Sequence, residues 1–392
     1  MNAGSTVNIV ENYDVAVIGG GIQGAGVAQA ASAAGYRTLL VERGEWAAAT
    51  SRASSKLVHG GLRYLESGQL HLVYHSLQER QQLFRNASRL VEAVRFYIPI
   101  YRHTRRRPWQ IRAGLSLYAL LTGLQPQARF RSVPRAEWST LGGLRQQDLQ
   151  AVFQYWDGQT DDAALTRAVA QSAAELGAHC EQHCELLTAI QHGDGYRLQL
   201  RSGAREWSCN ARSLVNATGP WVNDLLQRCT PSPPQRALSL VKGTHIVLPP
   251  MELPGIFYLE APSDGRAVFV MPWQGTTLVG TTEVEVDTPA AKPSQTEIDY
   301  LLDTVRHYLP AQPLEITGSF AGVRVLPAGS GRAFSRARES VIEQFDAGNA
   351  PLISIYGGKL TTYRYTAAEV VASLQKKLGP RHAIADTRTL AL

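Results

Sequence analysis

The sequence predicts an α/β protein in which a Rossmann-like nucleotide-binding domain is assembled from separated stretches of chain, with an α+β domain inserted between them. Two observations carry this. Near the start, a strand-length run dense in Val and Ile (residues 13–18) meets Gly19-Gly20-Gly21 and then an Ala-rich helix over 22–34. Near the end the same order returns: an apolar run over 352–356, then Gly357-Gly358, then a helix over about 360–377. Neither run alternates as a half-buried strand would, which fits strands covered on both faces. The expected division gives 1–90, 145–228 and 331–392 to the nucleotide-binding domain, and 91–144 with 229–330 to the inserted one.

The elements between these ends follow in order. Residues 38–41 form a second buried strand, closed by Glu42. Residues 70–86 have helical spacing with one polar face, and 94–101 read as a strand. A well-marked helix covers 161–176, with two Asp at its start complementing the dipole and Gly177 closing it. Short strands follow, ending at 213–217, and a Pro-rich passage over 230–250 signals the crossing into the inserted domain. Strands at 267–271 and 277–281 and a helix over 295–309 complete the reading.

The 392 residues include 44% hydrophobic and 18% charged residues, a globular balance that excludes a disordered or fibrous chain. No run approaches the ~20 apolar residues that cross a bilayer. The start lacks a basic stretch followed by an apolar one, so no secretory signal is read. Four Cys in this length fit a reducing cytosol better than a disulfide scaffold.

Gly19, Gly21 and Gly24 form G-x-G-x-x-G directly after a strand and at the opening of a helix, with Ile22 and Gln23 as the variable positions. The first glycine permits the tight turn, the second lets backbone N–H groups approach a pyrophosphate, and the third allows close helix–sheet packing. Glu42 lies 18 residues beyond Gly24, where a carboxylate accepts from ribose hydroxyls, and it disfavours a 2′-phosphate. The motif alone does not separate FAD from NAD.

Further segments narrow the reading: Ala49-Thr50-Ser51, the run from Ser54 to Glu66 (SSKLVHGGLRYLE), Asn216 to Trp221 (NATGPW), Val241 to His245 (VKGTH), Gly280 to Glu283 (GTTE), Gly322-Val323-Arg324, and Gly357 to Arg364 (GGKLTTYR). Together they resemble the FAD-dependent glycerol-3-phosphate dehydrogenase family, within the D-amino-acid-oxidase-like flavoproteins. The resemblance spans about 13–368. It implies a Rossmann-like FAD-binding domain with an inserted α+β substrate domain, and FAD held non-covalently. It also implies oxidation of glycerol 3-phosphate at C2 to dihydroxyacetone phosphate, with a hydride passed to flavin N5 and electrons to a membrane quinone. A glycerol-3-phosphate oxidase, or a related 2-hydroxy or amino acid oxidoreductase, is the runner-up; a non-catalytic flavin-binding subunit is the rival from another class.

By this resemblance the cofactor residues are Gly19, Gly21, Ile22, Gln23, Gly24, Glu42, Arg43, Thr50, Ser51, Ser55, Lys56, Leu57, Ala217, Thr218, Gly219, Trp221, Gly358, Lys359, Leu360 and Thr361. His59 is the expected general base, histidine being the side chain most easily tuned to work near neutral pH. Arg324 is assigned to the reacting oxygen, and Arg63 and Arg338 to the phosphate, because a guanidinium offers planar, paired donors. Lys359 would stabilise a reduced, anionic flavin, and Tyr64 would line the substrate pocket.

Cys180 and Cys184 are read as buried strand cysteines, without a metal. The arginines at 102, 105, 106, 107, 112, 129, 131 and 135 flank Trp109 and an apolar helix, so 102–135 is a candidate membrane surface. No nucleic-acid motif accompanies them. The expected location is cytoplasmic, with the inner face of the membrane as the surface that 102–135 would meet. Longer family members continue into a helical C-terminal domain, whereas 28 residues follow Arg364 here. The expectation is therefore a chain lacking that domain, with room for a separate subunit in its place. Gly322-Val323-Arg324 is followed by Val325-Leu326-Pro327 where the family pattern has Pro-Leu.

Overall fold

The computed structural model describes residues 11–66, 68–123, 129–312, 314–327, 340–347 and 350–392. In chain order the first elements are β1 (Glu11–Ile18), α1 (Ile22–Ala33), β2 (Thr38–Val41), β3 (Leu57–Val58), α2 (Leu70–Asn86), β4 (Val91–Tyr101), α3 (Pro108–Leu121), β5 (Arg131–Ser132), β6 (Leu149–Thr160) and α4 (Asp162–Glu175). Then come β7 (His179–Glu181), β8 (Cys184–His192), β9 (Gly195–Ser202), β10 (Arg205–Asn216), α5 (Val222–Gln227), β11 (Cys229–Thr230), β12 (Leu238–Leu248), β13 (Ile256–Glu260), β14 (Ala267–Trp273), β15 (Thr276–Gly280) and β16 (Val284–Val286). The last are α6 (Gln295–Tyr308), β17 (Gly318–Pro327), β18 (Val341–Ala347), β19 (Ala350–Tyr356) and α7 (Tyr363–Leu378).

The first sheet has a parallel centre, β7-β2-β1-β10, with β19 parallel to the C-terminal half of β10. On the N-terminal half of β10 the strands β9 and β8 run as an antiparallel meander. Register decides what this sheet can do. Ile18 pairs with both Val41 and Asn216, and Asn216 pairs with Ser354. The carboxyl ends of β1, β2, β10 and β19 therefore lie side by side, at the edge where open α/β sheets bind ligands. One face is covered by α1, α4 and α7 through Ala25, Ala28, Leu165, Val169, Val370 and Leu374. The other is covered by the meander and α5, through Leu186, Leu198 and Leu225.

The second sheet runs β16-β12-β15-β14-β13-β4-β6-β3, with β17 on β12 and β5 on β6, and is antiparallel except between β13 and β4. Alternation along β4 sorts its two faces. Phe96 and Ile98 join Leu77, Leu115 and Tyr118 under α2 and α3, while Tyr97 joins Leu301 and Val305 under α6.

The sheets draw different boundaries from the expected ones. β3 and β6 lie in the second sheet, and α2 packs on it through Leu72, Val73 and Leu77. Residues 57–58, 70–86 and 149–160 thus go with the inserted unit. β6 is drawn there by its long antiparallel ladder with β4, from Val91↔Thr160 to Tyr101↔Leu149, which its neighbour α4 in sequence does not reveal. β11 pairs with β8 in the first sheet, so the passage between units begins after Thr230. Among the described residues no helix is long and apolar enough to cross a membrane.

Candidate active site

The adjoining strand ends open onto a cleft of about 990 Å³ that reaches the rim of the second sheet. After β1 the chain turns at Gly19, whose φ is +113° and where a Cβ would sit 2.5 Å from Ala217 O. Only glycine satisfies both conditions. A Cβ on Gly24 would meet Gly19 O at 1.8 Å, so this glycine lets α1 press against the turn and does not itself line the cleft. Glu42 Oε2 accepts from Gly20 N–H at 2.6 Å and Oε1 from Gly44 N–H at 2.9 Å, locking the turns after β1 and β2 together while the residue still lines the cleft. Ser51 Oγ accepts from Ile22 N–H at 2.9 Å, and Thr50 Oγ1 donates to Val323 O at 2.6 Å, tying the 50–52 turn to β17. The Arg43 guanidinium lies 4.1 Å from the centre of a Trp221 ring, and both residues line the cleft.

The structure brings most of the sequence-derived set to this one cleft: Gly19, Gly21, Ile22, Gln23, Ser55, Leu57, His59, Tyr64, Ala217, Thr218, Gly219, Arg324, Gly358, Lys359, Leu360 and Thr361 also line it. His59 follows β3 and is fastened through its N–H to Thr361 Oγ1 at 3.3 Å, so two segments some 300 residues apart meet there. Lys359 Nζ lies 4.1 Å from the Tyr64 ring centre and donates to Ser76 Oγ on α2 at 3.3 Å. Arg324 on β17 is ion-paired with Glu283 at 3.3 Å.

Besides Gly24, two expected residues among those described do not line it. Lys56 turns away: its Nζ donates to Asp162 Oδ1 and to Arg52 O, each at 2.6 Å, and its side chain is 9% exposed. Placing a bare ammonium in that interior is costly, so it is satisfied by a carboxylate rather than left for a ligand. Arg63 sits behind Tyr64, donating to its hydroxyl at 3.1 Å. Arg338 lies outside the described residues. Of the basic stretch, Arg106 is internal, paired with Glu260 at 2.6 Å and with Glu66, whereas Arg105, Arg107 and Arg112 are exposed.

Sequence reading missed His245, which lines the cleft from β12. Its ring stacks on Phe320, and its Nε2 is 3.0 Å from Ser55 Oγ. Burial, with Lys56 and Arg324 nearby, pushes this imidazole down to about 3, so it is neutral at neutral pH. Its segment, VKGTH, was visible, but nothing there distinguished a strand histidine from a core one. Glu283, Arg266 and Glu79 were also missed. Glu283 joins Arg266 to Arg324 at 2.8 and 3.3 Å, and Glu79 accepts from Arg364 Nε at 2.9 Å. A helical Glu such as Glu79 reads as solvated from sequence alone.

The residues present fit a flavin dinucleotide. Gly21 is the N-cap of α1 and supplies no side-chain cap; Ser51 Oγ takes the Ile22 N–H, and the next N–H groups of the first turn, with the helix dipole, favour an anion there. Gln23 Oε1 is buried at the cleft with no partner among the described residues. The cleft volume is at the upper end of the range for ligand pockets.

A family model described as FAD dependent oxidoreductase matches residues 14–364. A glycerol-3-phosphate dehydrogenase of Pseudomonas aeruginosa is 37% identical over 383 residues, covering 95% of this chain and 74% of that protein. A D-erythritol 1-phosphate dehydrogenase of Brucella abortus is 35% identical over 367 residues, covering 91% and 72%. The crystal structure of the glycerol-3-phosphate dehydrogenase from Bacillus halodurans complexed with FAD superposes with a TM-score of 0.74 at 26% identity, covering 96% of this chain and 67% of that one. The chain therefore belongs to the family of FAD-dependent oxidoreductases that holds these glycerol-3-phosphate dehydrogenases: it is a flavoenzyme, and FAD is its cofactor.

Proposed function

We propose that this enzyme oxidises sn-glycerol 3-phosphate at C2 to dihydroxyacetone phosphate, with the hydride passing to flavin N5 and the electrons onward to a membrane quinone. The observation that carries the proposal is the convergence of His59, Arg324 and Lys359 on the cleft that also contains the dinucleotide glycines. Bound FAD supplies the two-electron acceptor. The chain's own residues do the rest. His59 takes the C2 hydroxyl proton. Arg324, held by Glu283, donates to the oxygen as negative charge develops on it. Lys359 places a fixed positive charge beside the site, and Tyr64 with Arg63 behind it forms the wall that receives the phosphate.

Exposed Trp109 and Leu120 on α3, with Arg105, Arg107 and Arg112 around them, support docking of this side on an anionic membrane surface. There a quinone would be within reach. The test is the visible spectrum of the purified protein before and after anaerobic glycerol 3-phosphate. Bleaching of the oxidised flavin band is expected; an unchanged band refutes the substrate. The Brucella abortus relative gives a second reading, a longer alditol phosphate. Bleaching by D-erythritol 1-phosphate and not by glycerol 3-phosphate would replace the substrate and keep the chemistry.

A further inference from the structure

We infer that Tyr118, Asp157 and Arg80 form a buried positioning network that aims the turn carrying His59; the inference rests on the reading of His59 as general base. None of the three lines the cleft. Gly60, the residue after His59, donates its N–H to Tyr118 Oη at 2.8 Å. Tyr118 donates in turn to Asp157 Oδ2 at 2.7 Å, and Asp157 Oδ1 accepts from Arg80 Nη1 at 2.6 Å. The Arg80 side chain is fully buried and that of Asp157 nearly so.

Charge fixes the direction of every link. Burial pushes the Asp157 carboxyl up, but the Arg80 guanidinium, which has no accessible neutral form, donates to one of its oxygens and the Tyr118 hydroxyl to the other, so both carboxylate oxygens accept. The single Tyr118 proton is therefore drawn to Asp157. The phenol oxygen then presents its lone pairs to Gly60, whose N–H can only donate. The turn after β3 is thereby referenced to three elements at once: α3 through Tyr118, β6 through Asp157 and α2 through Arg80. α2 also carries Ser76, one turn before Arg80, and Glu79, the residue preceding Arg80, and these hold Lys359 and Arg364. α2 is thus the common back wall of the two turns that bear the base and the cation. A buried ion pair is a poor way to gain stability, since apolar side chains of similar volume commonly do as well. What it supplies, and an apolar core does not, is direction.

The experiment measures the limiting rate of flavin reduction by glycerol 3-phosphate, anaerobically, in the FAD-loaded full chain. It compares wild type, Tyr118→Phe, His59→Ala and the double variant. Tyr118→Phe keeps the ring and removes only the hydroxyl. It is expected to slow reduction about tenfold or more, as small misplacements of a catalytic group do, with flavin content and substrate KM nearly unchanged. In the His59→Ala background the same change should have no further effect, because the group it aims is gone. A wild-type rate in Tyr118→Phe overturns the proposal, and so does an equal loss in both backgrounds, which would mean general loosening. A wild-type rate in His59→Ala rejects the base reading itself, and this network with it. Should Tyr118→Phe fail to fold, Asp157→Asn carries the same expectation, because it removes the charge that orients the phenol.

Discussion

Lys56 is the residue on which the sequence reading and the geometry part most sharply, and replacing it decides between them. Its Nζ is 2.6 Å from Asp162 Oδ1, with side-chain exposures of 9% and 0%. Asp162 also accepts from Ser54 N–H at 2.9 Å, Ser54 Oγ at 2.6 Å and Ala163 N–H at 2.8 Å, in the first turn of α4. Lys56→Met keeps the aliphatic stem and removes the ammonium. Breaking a buried pair costs about 3–5 kcal/mol, and the three remaining donors hold the loss to about 3 kcal/mol. At ~2.1 cal/mol/K per residue, the unfolding entropy of this chain is ~0.8 kcal/mol/K, so the melting temperature should fall by about 4 °C. Thermal melts of the flavin-loaded protein, followed by circular dichroism, read this directly. Flavin stoichiometry should stay at the wild-type level, and adding Asp162→Asn should recover part of the loss, since no uncompensated charge then remains. An unchanged melting temperature with loss of flavin would refute the reasoning and restore Lys56 as a cofactor ligand.

His59→Ala and Arg324→Ala should each lower turnover with glycerol 3-phosphate by about 10²-fold or more while retaining FAD, as steady-state rates and flavin absorbance together will report. Gly24→Ala forces a Cβ against Gly19 O at 1.8 Å, a backbone atom with no room to give, so purified protein should carry far less flavin than wild type. Glu297 gives an acid-stability prediction. Burial pushes its carboxyl up, but the Lys242 ammonium and the hydroxyls of Thr282, Ser294 and Thr244 outweigh this and hold it at about 2, against 4.5 ordinarily. A depressed folded-state value stabilises above the unfolded one, so this contribution is full above about 4.5 and is lost as pH falls toward 2. Glu297→Gln should therefore flatten the acid limb of a stability–pH curve, and an unaltered limb would count against the assignment. Trp109→Ser with Leu120→Ser should reduce co-sedimentation with anionic vesicles at low salt and leave flavin reduction in solution untouched.

The parts of the fold legible in the sequence are those where one local signal decides the outcome. The glycines after β1, Glu42 at the end of β2 and the paired Asp opening α4 each act through their own turn or cap. Asp161 does cap the helix, accepting from Ala164 N–H at 2.9 Å. What escaped is decided by partners distant in the chain. The placement of β6 depends on β4, and no local pattern distinguishes a strand that continues one sheet from a strand that begins another. Lys56 enters the cofactor set through the resemblance carried by SSKLVHGGLRYLE, and Asp162, 106 residues away, turns it inward. Arg106 looks like one arginine in a basic loop until Glu66 and Glu260 are found around it.

The same distinction explains where the chemistry lies. His59 follows a strand of the second sheet, Arg324 sits on another strand of it, and Lys359 follows a strand of the first. Each sheet alone therefore holds only part of the set. Contacts across the seam join the parts: Thr50 Oγ1 to Val323 O, His59 N–H to Thr361 Oγ1, and Lys359 Nζ to Ser76 Oγ. A shift of one sheet against the other by an ångström would move the base and the cation relative to one another without disturbing either sheet's core. That geometry makes the seam a place where substitutions should alter turnover while leaving stability intact. It also accounts for the buried polar residues of α2, which hold Lys359, Arg364 and Asp157 through Ser76, Glu79 and Arg80.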